Sequence, residues 1–270
     1  FYFRSGKKYC CTVICGHSSF YWIVSRWADE NGFERKRNFM IQISNLSKKY
    51  GETVVFSDLN YTFENTCIYG LVGRNGAGKT TLLNILSNYD KNYTGVISID
   101  RKKMNKVDYL DMPVAYAMDQ PSFFNELTIY ENLLLIASSR KIKKQEAFDK
   151  IERILDGLGL KKYENYSPLE LSKGTMQRLN NACAMIQEEK ITIFDEPFSG
   201  LDPVQMKLLE NVIVEFHKKE KGIYIISSHD IECLQNVCDK SLSLHNGQIR
   251  EINMEEVDRE EIAKILSEGE

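Results

Sequence analysis

The sequence predicts an α/β fold with a mainly parallel sheet, an antiparallel β subdomain and an inserted helical subdomain. Three observations carry this. Residues 41–46, 53–56, 60–63 and 96–99 alternate apolar with polar side chains, the pattern of a half-exposed antiparallel sheet. Residues 67–72, 191–194 and 223–227 are almost continuously apolar, as parallel strands covered by helices on both faces must be. Between the first and second of these buried strands, residues from about 120 to 185 read as helical.

Each further element has its own signal. The apolar positions of 81–86 predict a helix directly after the strand at 67–72. Ala147, Phe148, Ile151, Ile154, Leu155 and Leu158 recur at three- and four-residue spacing, so a helix over 143–159 should bury one face. Asp202-Pro203 starts another, because Asp can accept from free N–H groups and Pro fits the first helical position; Val204, Leu208, Val212 and Phe216 then form its stripe. Asn246-Gly247 between 241–245 and 248–252 predicts a type I′ hairpin.

The chain has 270 residues, a formal charge of −3, 43% hydrophobic and 27% charged residues, which argues against intrinsic disorder and for one large or two small soluble domains. That charge gives no footing for wrapping nucleic acid, so no nucleic-acid partner is expected. No apolar run approaches the roughly 18–20 residues needed to cross a bilayer, so a membrane role would need a partner. Seven cysteines, an odd count in a long chain, favour reduced thiols and a cytosolic address. Cys10, Cys11 and Cys15 lie near His17, but adjacent cysteines depart from the paired spacing of zinc sites.

Residues 1–39 stand apart. They hold both tryptophans and seven basic against three acidic residues, a local charge of +4, which leaves −3 − 4 = −7 for the rest. The expectation is that 1–39 is a non-native or disordered segment, that Met40 is the natural start, and that 40–270 is the functional domain. The rival is a secretory signal, since 9–24 is fairly apolar behind Lys7-Lys8, although no small-residue cleavage site follows.

The sharpest chemical motif is Gly73-Arg74-Asn75-Gly76-Ala77-Gly78-Lys79-Thr80, followed by Thr81. It fits the phosphate loop G-x-x-x-x-G-K-[ST], after an apolar strand and before a helix, and so predicts a P-loop NTPase core. The glycines let the backbone curl until several N–H groups face one phosphate chain, and the helix adds its positive end. Lys79 suits β- and γ-phosphate charge, and the Thr80 hydroxyl suits Mg²⁺. Asp195-Glu196 places two carboxylates where the strand at 191–194 emerges: Asp195 is the candidate metal-side acid and Glu196 the candidate general base.

Leu171-Ser172-Lys173-Gly174-Thr175-Met176-Gln177-Arg178 resembles the signature of the ATP-binding cassette (ABC) ATPases, written LSGGQ followed by a Q-R pair. The resemblance covers residues of about 40–252; Lys173 and Thr175 depart from the common form. It implies ATP and Mg²⁺ as ligands, with Ser172 and the Gly174 backbone as an anion site, although Ser172 is equally suited to capping the helix. By the same resemblance Tyr50 would stack on adenine, Gln120 would touch Mg²⁺ or water, Asp202 would lie in a loop crossing a dimer interface while also capping its helix, and His229 would contact the γ-phosphate.

The family likeness further implies an ATPase subunit of an export-type transporter. Two cassettes, most simply a homodimer, would close head to tail on ATP and drive a separate transmembrane permease. The cassette would be cytoplasmic and peripheral on the inner face of the cell membrane. The permease would dock near Gln120 and residues 121–135, with Phe123 and Phe124 as aromatic contacts unless these are buried in the helical region itself. Two alternatives remain: a non-transport ABC ATPase acting on ribosomes or DNA, and a regulatory cassette that does not turn over.

Overall fold

A computed structural model describes residues 39–64, 66–104, 107 and 112–253. Cys10, Cys11, Cys15 and His17, and most of the segment expected to precede the natural start, lie outside the described residues.

The antiparallel subdomain is a four-stranded sheet built from β1 (Met40–Tyr50), β2 (Thr53–Glu64), β4 (Thr94–Ile99) and β5 (Lys102–Lys103), in the order β2-β1-β4-β5. Ile41, Ile43 and Leu46 point into the core, and the skipped step between Ile43 and Leu46 coincides with a register shift and with Asn45 at φ +51°. The two short strands expected at 53–56 and 60–63 are one strand. Asp58, at φ +51°, interrupts its alternation where the pairing with β1 shifts register, so a bulge makes one strand read as two.

The larger sheet has the order β10-β9-β3-β8-β7-β6, with β3 (Ile68–Val72), β6 (Val114–Ala117), β7 (Ile191–Asp195), β8 (Ile223–Ser228), β9 (Lys240–His245) and β10 (Gln248–Ile252). Every pairing is parallel except β9 with β10. Every residue of β3, β7 and β8 is buried, as their unbroken apolar runs require. The hairpin between β9 and β10 turns through Asn246 at φ +47° and Gly247 at φ +69°, the type I′ geometry expected of Asn-Gly. β6 had no separate sequence signal.

Helix α1 (Lys79–Leu86) sits between the sheets and buries Leu82, Leu83, Ile85 and Leu86 in the core it shares with the antiparallel subdomain. The other core lies beneath α2 (Ile129–Ser139), α3 (Lys144–Gly157), α4 (Lys173–Met185) and α5 (Pro203–Glu220). Helices α2, α3 and α4 all fall between β6 and β7, forming the inserted helical region. The short α6 (Glu232–Gln235) follows β8.

Asp202 caps α5 by accepting from the Gln205 N–H at 2.9 Å, with Pro203 in the first turn. Its buried stripe is Leu209, Val212, Ile213 and Phe216, whereas Val204 is exposed and Leu208 half-buried. The contiguous apolar residues 212–214 permit two helical phases, and packing selects the one beginning at Leu209. Among the described residues no helix is long and apolar enough to cross a membrane.

Candidate nucleotide-binding and hydrolytic site

The phosphate loop leaves β3 at Gly73 and enters α1 at Lys79. The Ala77 N–H donates to the Arg74 carbonyl at 3.1 Å, which closes the turn. Gly76 and Gly78 adopt φ +85° and +99°, conformations that side chains rarely allow; at Gly78 a Cβ would also lie 2.7 Å from Val55 Cγ1 of β2. Arg74 and Asn75 are exposed, Ala77 half-buried, Thr80 exposed and Thr81 half-buried. Helix α1 has neither a side-chain cap nor an acidic residue in its first turn, so its N–H groups are left to an anion.

Lys79 is buried. Its ammonium donates to the Gly73 carbonyl at 2.7 Å and the Arg74 carbonyl at 3.4 Å, and stands 3.5 Å from Glu196 Oε1. Glu196 follows the buried β7 and has φ +50°. Its other oxygen, Oε2, is 2.8 Å from His229 Nδ1; because a carboxylate only accepts, Nδ1 carries the proton. The Glu196 backbone is held twice: its N–H donates to Ser227 Oγ at 2.9 Å, and its carbonyl accepts from Gln177 Nε2 at 3.2 Å.

Asp195 is fully buried and takes hydroxyl donors from two strands. Ser227 donates to Oδ1 at 2.6 Å and Tyr116 of β6 approaches Oδ2 at 3.4 Å, while Thr80 at the start of α1 is near enough to stabilise the ionised carboxylate. Burial pushes the Asp195 carboxyl up against the opposing pull of Ser227 and Thr80, and the charges of Asp119 and Glu196 push it the same way. Burial, aided by Asp195 and Asp119, likewise pushes the Tyr116 phenol up. Tyr116 also donates to Asn84 Oδ1 of α1 at 3.0 Å.

The loop after β6 thus places the charge of Asp119 where it acts on Asp195. Gln120 is exposed and has no hydrogen bond among the described residues. Asn180 of α4 pins this loop by donating to the Met118 carbonyl at 2.7 Å. Farther along, Asn132 organises the turn into α2: its Oδ1 accepts from the Phe124 N–H at 3.0 Å, and its Nδ2 donates to the carbonyls of Phe124, Leu127 and Thr128. Phe123 packs against the helical core.

Ser172 caps α4, accepting from the Thr175 N–H at 3.3 Å and sharing a 2.9 Å hydrogen bond with the Thr175 hydroxyl. The residue remains exposed. Gly174 permits the loop before α5 to approach: a Cβ there would stand 2.9 Å from the Gly200 carbonyl. Tyr50, 52% exposed at the end of β1, donates to Asp90 Oδ2 at 3.0 Å, and Lys48 sits 4.5 Å from its ring centre. The structure brings Lys79, Thr80, Asp195, Glu196 and His229 together; Ser172, Gly174, Asp202 and Tyr50 are not in contact with that group.

The donor set fits the ligands expected of it. An uncapped helix start and a buried ammonium suit phosphate oxygens, and a hydroxyl beside a buried carboxylate is the hard oxygen pair that Mg²⁺ takes. Sequence reasoning missed Ser227, Tyr116 and Gln177. Only Gln177 lay within a recognised motif, and nothing in that motif showed its reach to Glu196.

The ABC transporter family profile matches residues 56–199. An ABC transporter ATP-binding protein of Methanocaldococcus jannaschii is 32% identical over 208 residues, covering 77% of this chain and 75% of that protein. The tungstate uptake system ATP-binding protein of Peptoclostridium acidaminophilum is 30% identical over 211 residues (78% and 97%), and the bacitracin transport ATP-binding protein of Enterococcus faecalis 30% over 221 (81% and 71%). A solved ATP-binding subunit of an ABC transporter superposes with a TM-score of 0.73 at 27% identity, covering 82% of this chain and 92% of that one. A dimeric bacterial ABC transporter cassette shares the fold, with a TM-score of 0.72 at 23% identity over 79% and 98% of the two chains. The chain therefore belongs to the ABC transporter ATP-binding family, whose members bind and hydrolyse ATP.

Proposed function

We propose that this cassette hydrolyses ATP with Glu196 as general base and works on the cytoplasmic face of a membrane, coupled to separate transmembrane subunits. The observation that carries the reading is the suspension of the Glu196 carboxylate between Lys79 at 3.5 Å and His229 at 2.8 Å. The backbone N–H groups of residues 74–80 and the Lys79 ammonium would bind the β- and γ-phosphates. Thr80 and Asp195 would hold Mg²⁺, which when bound supplies charge neutralisation on the phosphate oxygens. Glu196 takes the proton of the attacking water, His229 holds the carboxylate in line, and the bond between the γ-phosphorus and the bridging oxygen breaks toward ADP. Tyr50, exposed at the edge of the antiparallel sheet, offers an aromatic face for adenine.

The loop covers one side of a triphosphate. The exposed Ser172, at the start of a helix with no acidic residue in its first turn, is suited to cover the other from a second copy. Closure of two cassettes would then move the transmembrane subunits. The half-buried Phe124 and its Asn132-braced turn offer a firm contact for them. Relatives at 30% identity include both an uptake system and a bacitracin transport protein, and the same hydrolytic chemistry serves either direction.

Glu196→Gln tests the reading. It should lower ATP turnover by about 10²–10⁴-fold, the usual contribution of a positioned base, while ATP-dependent dimerisation in size-exclusion chromatography persists. Wild-type turnover would remove Glu196 from the role.

A further inference from the structure

Ser227 lies at the end of β8, opposite Asp195 in the parallel register with β7, and is completely buried. Its single oxygen serves both acids of the site: it donates to Asp195 Oδ1 at 2.6 Å and accepts from the Glu196 N–H at 2.9 Å. The first bond fixes a side chain, the second a backbone.

The second bond matters because Glu196 is left-handed, at φ +50°, which is unfavourable for a residue with a Cβ. An extended residue there would continue the alternation of β7 and send Glu196 to the face opposite Asp195. The left-handed turn lets Glu196 face Lys79 at 3.5 Å while Asp195, one residue earlier, stays buried against Ser227. Ser227 grips that turn at its N–H, and Gln177 steadies its carbonyl from the other side at 3.2 Å.

We infer that Ser227 is a positioning residue for ATP hydrolysis: its hydroxyl orients the metal-side carboxylate of Asp195 and, through the Glu196 backbone, aims the base. The inference rests on the assignment of Glu196 above, and it concerns a residue outside every motif in the chain. Tyr116 bears on the other Asp195 oxygen from 3.4 Å, and the 2.6 Å bond to Oδ1 comes from Ser227.

The test compares Ser227→Ala, which deletes both bonds, with Ser227→Cys, which nearly preserves volume while weakening both, and Ser227→Thr, which keeps the hydroxyl. In the folded full chain, the Ala and Cys variants should lose about 10–100-fold in kcat, the scale of a hydrogen bond to a charged group, while KM for ATP changes by less than about threefold. The Thr variant should recover most of kcat. Independently of turnover, Mn²⁺ titrated into the ATP-loaded protein should bind more weakly to the Ala and Cys variants.

Wild-type kcat in Ser227→Ala or Ser227→Cys, or a loss confined to KM, overturns the inference. Glu196→Gln measured alongside separates the two readings. If it still turns over, the base is misassigned; if it is inactive while the Ser227 variants are fully active, Ser227 alone is misassigned.

Discussion

Glu196 is anchored at four points by three parts of the chain: Lys79 in α1, Gln177 in α4, and Ser227 and His229 at the end of β8. Such density of anchoring would serve the base proposed above, because a displaced carboxylate would lose its line to an attacking water. The loop beneath it depends on backbone freedom. Gly78→Ala would put a methyl group into Val55 at a φ of +99°, at a cost of about 1–3 kcal/mol. Thermal unfolding should fall by roughly 2–4 °C for each kcal/mol at this chain length, and ATP binding measured by calorimetry should weaken with it. The phosphate loop and the Asp-Glu pair were legible in the sequence because each is contiguous. Ser227 and Tyr116 were not, since their partnership with Asp195 arises only from the register of β6, β7 and β8. Gln120 was read from the family pattern, and the structure adds the neighbouring Asp119, whose charge acts on Asp195.

Among the elements, those with local punctuation were the readable ones. The hairpin at Asn246-Gly247 and the start of α5 at Asp202-Pro203 follow from turn and cap chemistry that acts within a few residues. β6 was invisible because Val114–Ala117 is four residues long and takes its burial from β7 and α4, remote in sequence. The stripe of α5 was right at Val212 and Phe216 but misplaced at Val204 and Leu208, because a helix cannot choose between adjacent apolar positions without the surface it meets. The cap gives a direct test: Asp202→Ala should cost about 1 kcal/mol in chemical denaturation, and Asp202→Asn, which can still accept from the Gln205 N–H, should cost much less. Weaker ATP-dependent dimerisation in Asp202→Asn than in the wild type, with the cap and stability kept, would reveal a second role for the carboxylate.

For the whole molecule, the helical region is tied to the sheet by charge at the end remote from the phosphate loop. Arg140, at the C-cap of α2, meets Glu189 at 2.7 Å just before β7, and the buried Lys150 of α3 meets Glu188 at 2.6 Å and Glu220 of α5 at 3.2 Å. Burial pushes the Glu189 carboxyl up to about 7 from 4.5, although Arg140 and Lys190 pull the other way. The folded protein therefore holds this proton more tightly than the unfolded chain. The resulting stabilisation is complete below pH 4.5 and is lost as the pH rises through about 7. Glu189→Gln should flatten this part of the stability profile, measured by denaturant titration at several pH values between 4.5 and 7.

At the other end of the same region, α4 carries three amides, Gln177, Asn180 and Asn181, that donate to the carbonyls of Glu196, Met118 and Pro197. They act like the rungs of a ladder leaned against the reaction centre. A load placed on the helices by a docked membrane protein would travel one hydrogen bond before tugging the Glu196 carbonyl, so with the roles proposed above the fuel-burning step and the mechanical stroke would share a single short lever.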